Sequence, residues 1–97
     1  MTKVNVIFDN SFDDADIIAI PDEIASRIET IGQEFLDWVL TAKNSDYWVN
    51  MDGQKCLVIE TDGFIKWLNS RYCSNIEEAY LVTRNTNSCP LYKSLEF

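Results

Sequence analysis

Histidine is absent from the 97 residues of this chain. It is the side chain most often used for proton transfer near neutral pH, so its absence excludes histidine-dependent nucleophilic catalysis and imidazole ligands for metals. Basic residues are also scarce: 8 Lys and Arg stand against 16 Asp and Glu, and the formal net charge is -8. Because proteins bind nucleic acids and anionic membranes largely through Lys and Arg, we expect direct binding to neither.

Long apolar runs and export signals are missing as well. No segment approaches the roughly 18 consecutive apolar residues of a membrane span, and the first residues lack the basic stretch and apolar core of a secretory signal. The cysteines, Cys56, Cys73 and Cys89, are odd in number and contain no CxxC pair, which predicts reduced thiols. We therefore expect a cytoplasmic protein in which Cys56 belongs to the core and Cys89 is exposed.

Despite its charge, the chain has the composition of a folded protein. Hydrophobic residues make up 46% of the sequence and aromatic residues 12%, which is too much apolar surface for a disordered acidic tail. Two separate cores would each bury too little surface to be stable in a chain of this length. We expect a single domain over residues 1–97.

The first half of the chain predicts strand followed by helix. Lys3 to Phe8 alternates apolar and polar residues, as a half-buried strand does, and Ile17 to Ile20 is either a second strand or a buried lead-in. From Pro21 to about Ala42, apolar residues recur with helical period, which predicts one long amphipathic helix. Glycine inside a helix costs about 1 kcal/mol relative to alanine. We therefore expect another element to pack close to Gly32.

The second half contains the signal of a β-hairpin. Asp52-Gly53 lies between strand-like runs, and this dipeptide is typical of a two-residue turn with positive φ. The run Cys56 to Ile59 is apolar on both faces, which predicts an interior strand. The remaining elements are predicted from their apolar patterns: strands 47–51 and 54–60, a helix that is capped by Thr61 or Asp62 and runs to about Tyr72, a strand 79–84, and an undecided tail 85–97. This order predicts an α+β fold in which one long and one short helix pack on a small, mainly antiparallel sheet.

The acidic residues are concentrated in one part of the chain. From Asp9 to Asp37 there are nine acids and one base, so this stretch carries nine minus one charges, or -8, and the remainder is neutral. On a helical wheel the helix acids lie opposite the apolar stripe, with Arg27 placed to pair with Glu23 at i,i+4. We predict a partner-binding acidic surface, with simple solvation of the helix as the alternative. The acids of this surface are Asp13, Asp14, Asp16, Asp22, Glu23, Glu29, Glu34 and Asp37.

The sequence contains three other candidate features: an oxygen-rich loop, several carboxyl groups and a set of aromatic residues. The loop Asp9 to Asp16 offers oxygen ligands for Mg²⁺ or Ca²⁺ but lacks the glycine and glutamate of an EF-hand, so we expect no metal there. No carboxyl pair is marked out for acid–base catalysis, and we expect neither enzymatic activity nor a cofactor. The tryptophans on the helical stripes are expected in the core, whereas Phe12, Tyr47 and Trp48 are the predicted aromatic anchors of a protein interface.

The acidic stretch with its helix PDEIASRIETIGQEFLDW, and the α+β plan around GFIKWLNSRYC, resemble the small acidic immunity proteins of bacterial toxin systems, including those of contact-dependent growth inhibition. The resemblance covers the chain in general character. It implies a cognate toxin, inhibited by covering its active site or an adjacent exosite. No individual residue role carries over from the family.

The charge itself favours a particular partner. A nuclease needs a positive cleft for phosphates, so ordered carboxylates would steer an inhibitor toward it. We therefore expect a monomeric inhibitor of a basic toxin, with a nuclease as the favoured partner. Two alternatives stay open: a phage-derived nucleic-acid mimic of the anti-restriction or anti-CRISPR kind, and an adaptor subunit without inhibitory activity.

Overall fold

The computed structural model describes residues 1–7, 15–41, 47–73 and 77–97. The elements in this part of the chain are β1 (Thr2–Ile7), β2 (Ala15–Ile20), α1 (Asp22–Ala25), α2 (Ile28–Thr41), β3 (Trp48–Met51), β4 (Gln54–Leu57), α3 (Thr61–Tyr72), β5 (Tyr80–Thr86) and β6 (Lys93–Glu96). Helices and strands are mixed, and the larger sheet is mainly antiparallel. The predicted α+β class is confirmed, although α2 and α3 are of similar length.

The larger sheet has four strands in the order β5-β2-β1-β6. β1 pairs antiparallel with β2, with Val4 opposite Ile18, and β2 pairs antiparallel with β5. β6 runs parallel to β1, with Leu95 opposite Val6. The run Ile17 to Ile20 is thus part of a strand, and the undecided tail supplies an edge strand.

The helix predicted from Pro21 to about Ala42 is interrupted between α1 and α2. Pro21 is the N-cap of α1, and its carbonyl accepts the first helical hydrogen bonds. At the interruption, the Arg27 N–H donates to the carbonyl of Ile24 at 2.9 Å, which is the tighter i→i−3 bond of a 3₁₀ turn. The single-helix prediction was therefore wrong, because this turn divides the segment into α1 and α2.

The core lies between the helices and one face of the larger sheet. Val4, Val6, Ile18 and Ile20 from the sheet are fully buried against helical residues. Phe35 is at the aromatic centre of this core, with ring centroids 5.2–6.4 Å from those of Trp38, Tyr47, Phe64, Trp67 and Phe97. As predicted, the tryptophans on the helical stripes belong to this cluster.

Gly32 is where α2 approaches β6. A Cβ atom at this position would lie 2.5 Å from Cδ1 of Leu95, closer than two carbon atoms can pack. The expected close neighbour of Gly32 is therefore present, and it comes from the segment whose structure the sequence did not predict.

The predicted hairpin is confirmed at its turn. Asp52 and Gly53 have φ values of 53° and 79°, as a type I′ turn requires. The hairpin forms its own two-stranded sheet, however, so the interior strand predicted at Cys56 to Ile59 was wrong. Cys56 is half-buried, and Val58 is exposed at 41%, because the apolar side chains of this run partly face solvent and not a further strand.

Two asparagine side chains attach irregular segments to the fold. Asn5 of β1 is fully buried; its Nδ2 donates to the carbonyl of Cys89 at 2.8 Å, and its Oδ1 accepts from the N–H of Cys89 at 3.0 Å. Asn69 makes the same pair of bonds to Ala79, at 3.1 and 2.7 Å. Each side-chain amide thus bonds to both backbone groups of one residue, the N–H and the carbonyl, as a neighbouring strand would. Cys89 is consequently half-buried, contrary to the expected exposed thiol.

Candidate functional site

The outer side of α2 carries two exposed carboxylates, Glu29 and Asp37, here called the α2 carboxylate pair. They lie more than two helical turns apart, about 12 Å along the axis, and both are outside the buried stripe of the helix. Gln33 Nε2 donates to Oδ1 of Asp37 at 3.1 Å and orients that carboxylate. Within the described residues, no Lys or Arg forms an ion pair with either carboxylate. The pair therefore presents its charge to solvent.

Glu34 lies at the junction of α2 and α3. It is half-buried, and the Tyr72 hydroxyl donates to its Oε2 at 2.5 Å. This hydrogen bond, together with burial, raises the pKa of Tyr72. The Arg27 guanidinium lies over the Tyr72 ring at 5.9 Å. The expected ion pair between Arg27 and Glu23 is not formed, because the turn between α1 and α2 breaks their i,i+4 relation.

Asp22 and Glu23 are exposed in the first turn of α1. Asp22 accepts a hydrogen bond of 2.6 Å from the hydroxyl of Thr2 and forms a 3.3 Å ion pair with the Met1 amino group. These contacts, the Thr2 hydrogen bond first, lower the pKa of Asp22. The predicted arc of helix acids is thus divided into the α1 acids, the α2 carboxylate pair and Glu34.

Asp16 has internal partners. Its Oδ2 accepts from the Thr61 hydroxyl at 2.5 Å, and its Oδ1 accepts from the N–H of Asn85 at 2.9 Å. The carboxylate therefore links β2 to α3 and β5. α3 begins at Thr61, with Glu60 as its N-cap, so neither residue predicted as the cap has that role. Phe12, Asp13 and Asp14, predicted for the same surface, lie outside the described residues.

Tyr47 and Trp48 attach the hairpin to the helices. The Tyr47 hydroxyl donates to the carbonyl of Gly63 in α3 at 2.8 Å. Trp48 Nε1 donates to the carbonyl of Val39 in the last turns of α2 at 2.9 Å. Both side chains are half-buried. Their polar atoms therefore bond within the protein, while part of each ring remains accessible.

A groove of about 550 Å³ lies where the hairpin meets α2 and α3. We call it the hairpin groove. Most of its lining is apolar or aromatic, and Glu60 and Lys66 supply the charged groups. Its lining residues are Trp38, Tyr47, Val49, Val58, Glu60, Gly63, Lys66, Trp67 and Ser70. Of these, the sequence predicted a partner-binding role only for Tyr47, because the groove depends on how three distant segments are placed.

The described part of the chain has three further features that bear on its chemistry: the placement of potential metal ligands, a buried thiol and the apolar character of its helices. It contains no group of three or more His, Cys, Asp or Glu residues placed to hold a metal. Cys73 is buried, and burial raises the pKa of its thiol, which makes it a poor nucleophile. None of the described helices is long and apolar enough to cross a membrane. No family model, curated protein or solved structure matches the chain.

Proposed function

We propose that this protein is an inhibitor of the immunity-protein kind, which binds and neutralises a basic toxin in the bacterial cytoplasm. A nuclease is the favoured partner, because its active site must hold phosphates with positive charge. The α2 carboxylate pair is the observation that carries the proposal. Its charges are exposed on a helix and form no ion pair with Lys or Arg among the described residues.

The arrangement is suited to electrostatic steering. Like charges kept on one surface raise the association rate with an oppositely charged partner, up to about 10⁸–10⁹ M⁻¹s⁻¹ at low salt. General acid–base catalysis needs a different environment, a carboxyl group in an apolar pocket. Glu29 and Asp37 lie on the solvent side of α2, so their chemistry favours docking.

Substitutions that remove charge test whether the α2 carboxylate pair steers binding. In one variant, Glu29→Gln is combined with Asp37→Asn, which removes both charges from α2. The control combines Asp52→Asn with Glu96→Gln, which removes two exposed charges elsewhere. Asparagine tolerates the positive φ of residue 52, so the control should fold normally.

Each protein serves as bait for partners in the native host, and the captured partner is assayed for nuclease activity with and without the bait. We expect the α2 variant to associate about tenfold more slowly than the control at low salt, with the difference shrinking as salt rises. Equal association rates would contradict the role of the carboxylate pair. If this protein inhibits its partner and duplex DNA of any sequence displaces it from that partner, nucleic-acid mimicry would be favoured. If this protein binds its partner without changing the partner's activity, an adaptor role would be favoured.

A further inference from the structure

We infer that the hairpin groove receives an apolar side chain, aromatic or large aliphatic, that is flanked by Lys or Arg residues on the basic partner. The inference rests on the proposed function and names the second contact of the same interface. Steering by charge governs how fast two proteins meet, but affinity comes mainly from a few buried side chains. The hairpin groove offers a place in the described structure where such a side chain would be buried.

The lining of the groove is suited to an apolar occupant. Its walls include the rings of Trp38, Tyr47 and Trp67, and its volume of about 550 Å³ is within the roughly 300–1,000 Å³ of typical binding pockets. Val49 and Val58 at the hairpin side are exposed at 40% and 41%. Covering these side chains would remove apolar surface from water, which favours binding.

The walls are already held in place before any partner binds. The Tyr47 hydroxyl bonds to Gly63, and the Tyr47 ring meets the rings of Phe35 and Trp38 edge-on, each at 5.6 Å between centroids. The Trp67 ring packs against Phe35 at 5.2 Å. Binding to preorganised walls loses less conformational entropy than binding to mobile side chains. The groove therefore meets a structural requirement of a binding hot spot.

The charges around the groove indicate what flanks the occupant. Trp38 in the groove wall directly follows Asp37 of the α2 carboxylate pair, so one carboxylate of the pair is on the residue next to the groove wall. Glu60 adds a carboxylate in the groove lining. Basic residues beside the occupant would face these acids. Lys66 in the same lining disfavours a cation inside the groove, which leaves the apolar side chain as the occupant.

Short peptides provide a direct test with the intact protein. The probes are acetyl-Lys-Phe-Lys-amide, acetyl-Lys-Ala-Lys-amide and acetyl-Glu-Phe-Glu-amide, titrated into ¹⁵N-labelled protein while amide and indole shifts are followed. We expect the Lys-Phe-Lys peptide to shift the Gly63 amide and the Trp38 and Trp67 indoles. It should bind about tenfold more tightly than either other peptide, a difference that corresponds to about 1.4 kcal/mol.

Two matched variants localise the binding. Val58→Lys places a positive charge at the groove wall, whereas Val82→Lys places one on β5 at a residue that is similarly exposed, at 40%, and is not part of the groove lining. Both substitutions are at the surface, so both proteins should remain folded. We expect Val58→Lys to abolish binding of the Lys-Phe-Lys peptide and Val82→Lys to leave it unchanged.

Several outcomes would overturn the inference. Equal binding of the Phe and Ala peptides, with shifts confined to α2, would mean that charge alone attracts them, and the proposed function would survive without the groove. Equal binding of the Lys and Glu peptides would refute the basic flanks. Shifts at the groove that grow with protein concentration in the absence of peptide would identify a second copy of the chain as the occupant. Conversely, peptide binding at the groove without capture of a basic partner would count against the proposed function alone.

Discussion

Replacing Asn5 with alanine should loosen the connection between β5 and β6. This connection contains Cys89, whose N–H and carbonyl both bond to the Asn5 side chain, at 3.0 and 2.8 Å. Asn5 Nδ2 also has longer contacts to the Ser94 hydroxyl and the Tyr92 carbonyl, at 3.3 and 3.5 Å. Because Asn5 is fully buried, no water can take over these contacts unless the connection moves away from the sheet.

The expected loss follows from the two shorter bonds. A net hydrogen bond contributes about 0.5–1.5 kcal/mol, and a buried group left without a partner costs about 1–3 kcal/mol. We therefore expect Asn5→Ala to lower the free energy of unfolding by about 2–4 kcal/mol. That is a large share of the roughly 5–15 kcal/mol typical of a domain, and it should lower Tm by about 10 °C or more.

Urea unfolding followed by tryptophan fluorescence measures this loss, with Asn50→Ala in exposed β3 as the control. The control should change stability by less than about 0.5 kcal/mol. Asn5→Asp adds a second check, because it keeps the acceptor for the Cys89 N–H but sets an oxygen against the Cys89 carbonyl. Its deficit should shrink in acid, where the protonated carboxyl can donate.

The labelling rate of Cys89 with a thiol reagent separates local detachment from global unfolding. If the connection detaches, Cys89 in the Asn5→Ala protein should react faster even in conditions where the protein is folded. A loss of stability below about 0.5 kcal/mol, within the range of ordinary surface substitutions, together with unchanged labelling of Cys89, would refute the attachment role of Asn5.

Three further predictions concern the core and the alkaline limit of stability. Gly32→Ala should be neutral or destabilising in the wild-type protein, because the added methyl group would overlap the Leu95 side chain. In the Leu95→Ala background that overlap is absent, so the higher helix propensity of alanine should stabilise the protein by about 1 kcal/mol. Urea unfolding of the wild type, the two single variants and the double variant measures this coupling. Gly63→Ala should lower the free energy of unfolding by about 1 kcal/mol, because an added methyl group would overlap the Tyr47 ring. Overpacking of this kind costs about 1–3 kcal/mol, and the higher helix propensity of alanine offsets about 1 kcal/mol of that cost. Unchanged near-ultraviolet circular dichroism and unchanged stability would contradict this prediction. Burial raises the pKa of the Cys73 thiol, so the folded state favours the neutral thiol. The contribution of this thiol to the free energy of unfolding is complete below the thiol pKa of the unfolded chain, and it is lost as the pH rises through the thiol pKa of the folded protein. The free energy of unfolding should therefore fall above about pH 8.5, and less steeply in Cys73→Ala.

The features predicted well from the sequence have local causes. Asp52-Gly53 specifies its turn because both residues have the positive φ that the turn needs. The apolar period of 61–72 is that of a single helix, and the structure has one there. Gly32 indicated that another segment packs close to α2, because glycine inside a helix is unfavourable unless a side chain there would clash with a neighbour. The sequence did not identify that neighbour.

The features that were missed depend on contacts between distant segments. No proline or glycine marks the turn at Arg27, whose side chain lies over Tyr72 of another helix. Asn5 has the pattern of a solvent-facing strand residue, yet the segment containing Cys89 covers it. The hairpin groove likewise exists only after α2, α3 and the hairpin have assembled.

The parallel pairing of β6 with β1 has a consequence during protein synthesis. Val4 pairs with Lys93, so β1 can complete its hydrogen bonds only after nearly all of this sequence has been translated. At roughly 5–20 residues per second, the interval between the two strands is about 5–20 s. During that time the nascent chain can form the β1–β2 pair but leaves one edge of β1 open, and open strand edges promote aggregation. The newly made chain is therefore most in need of a chaperone until β6 leaves the ribosome.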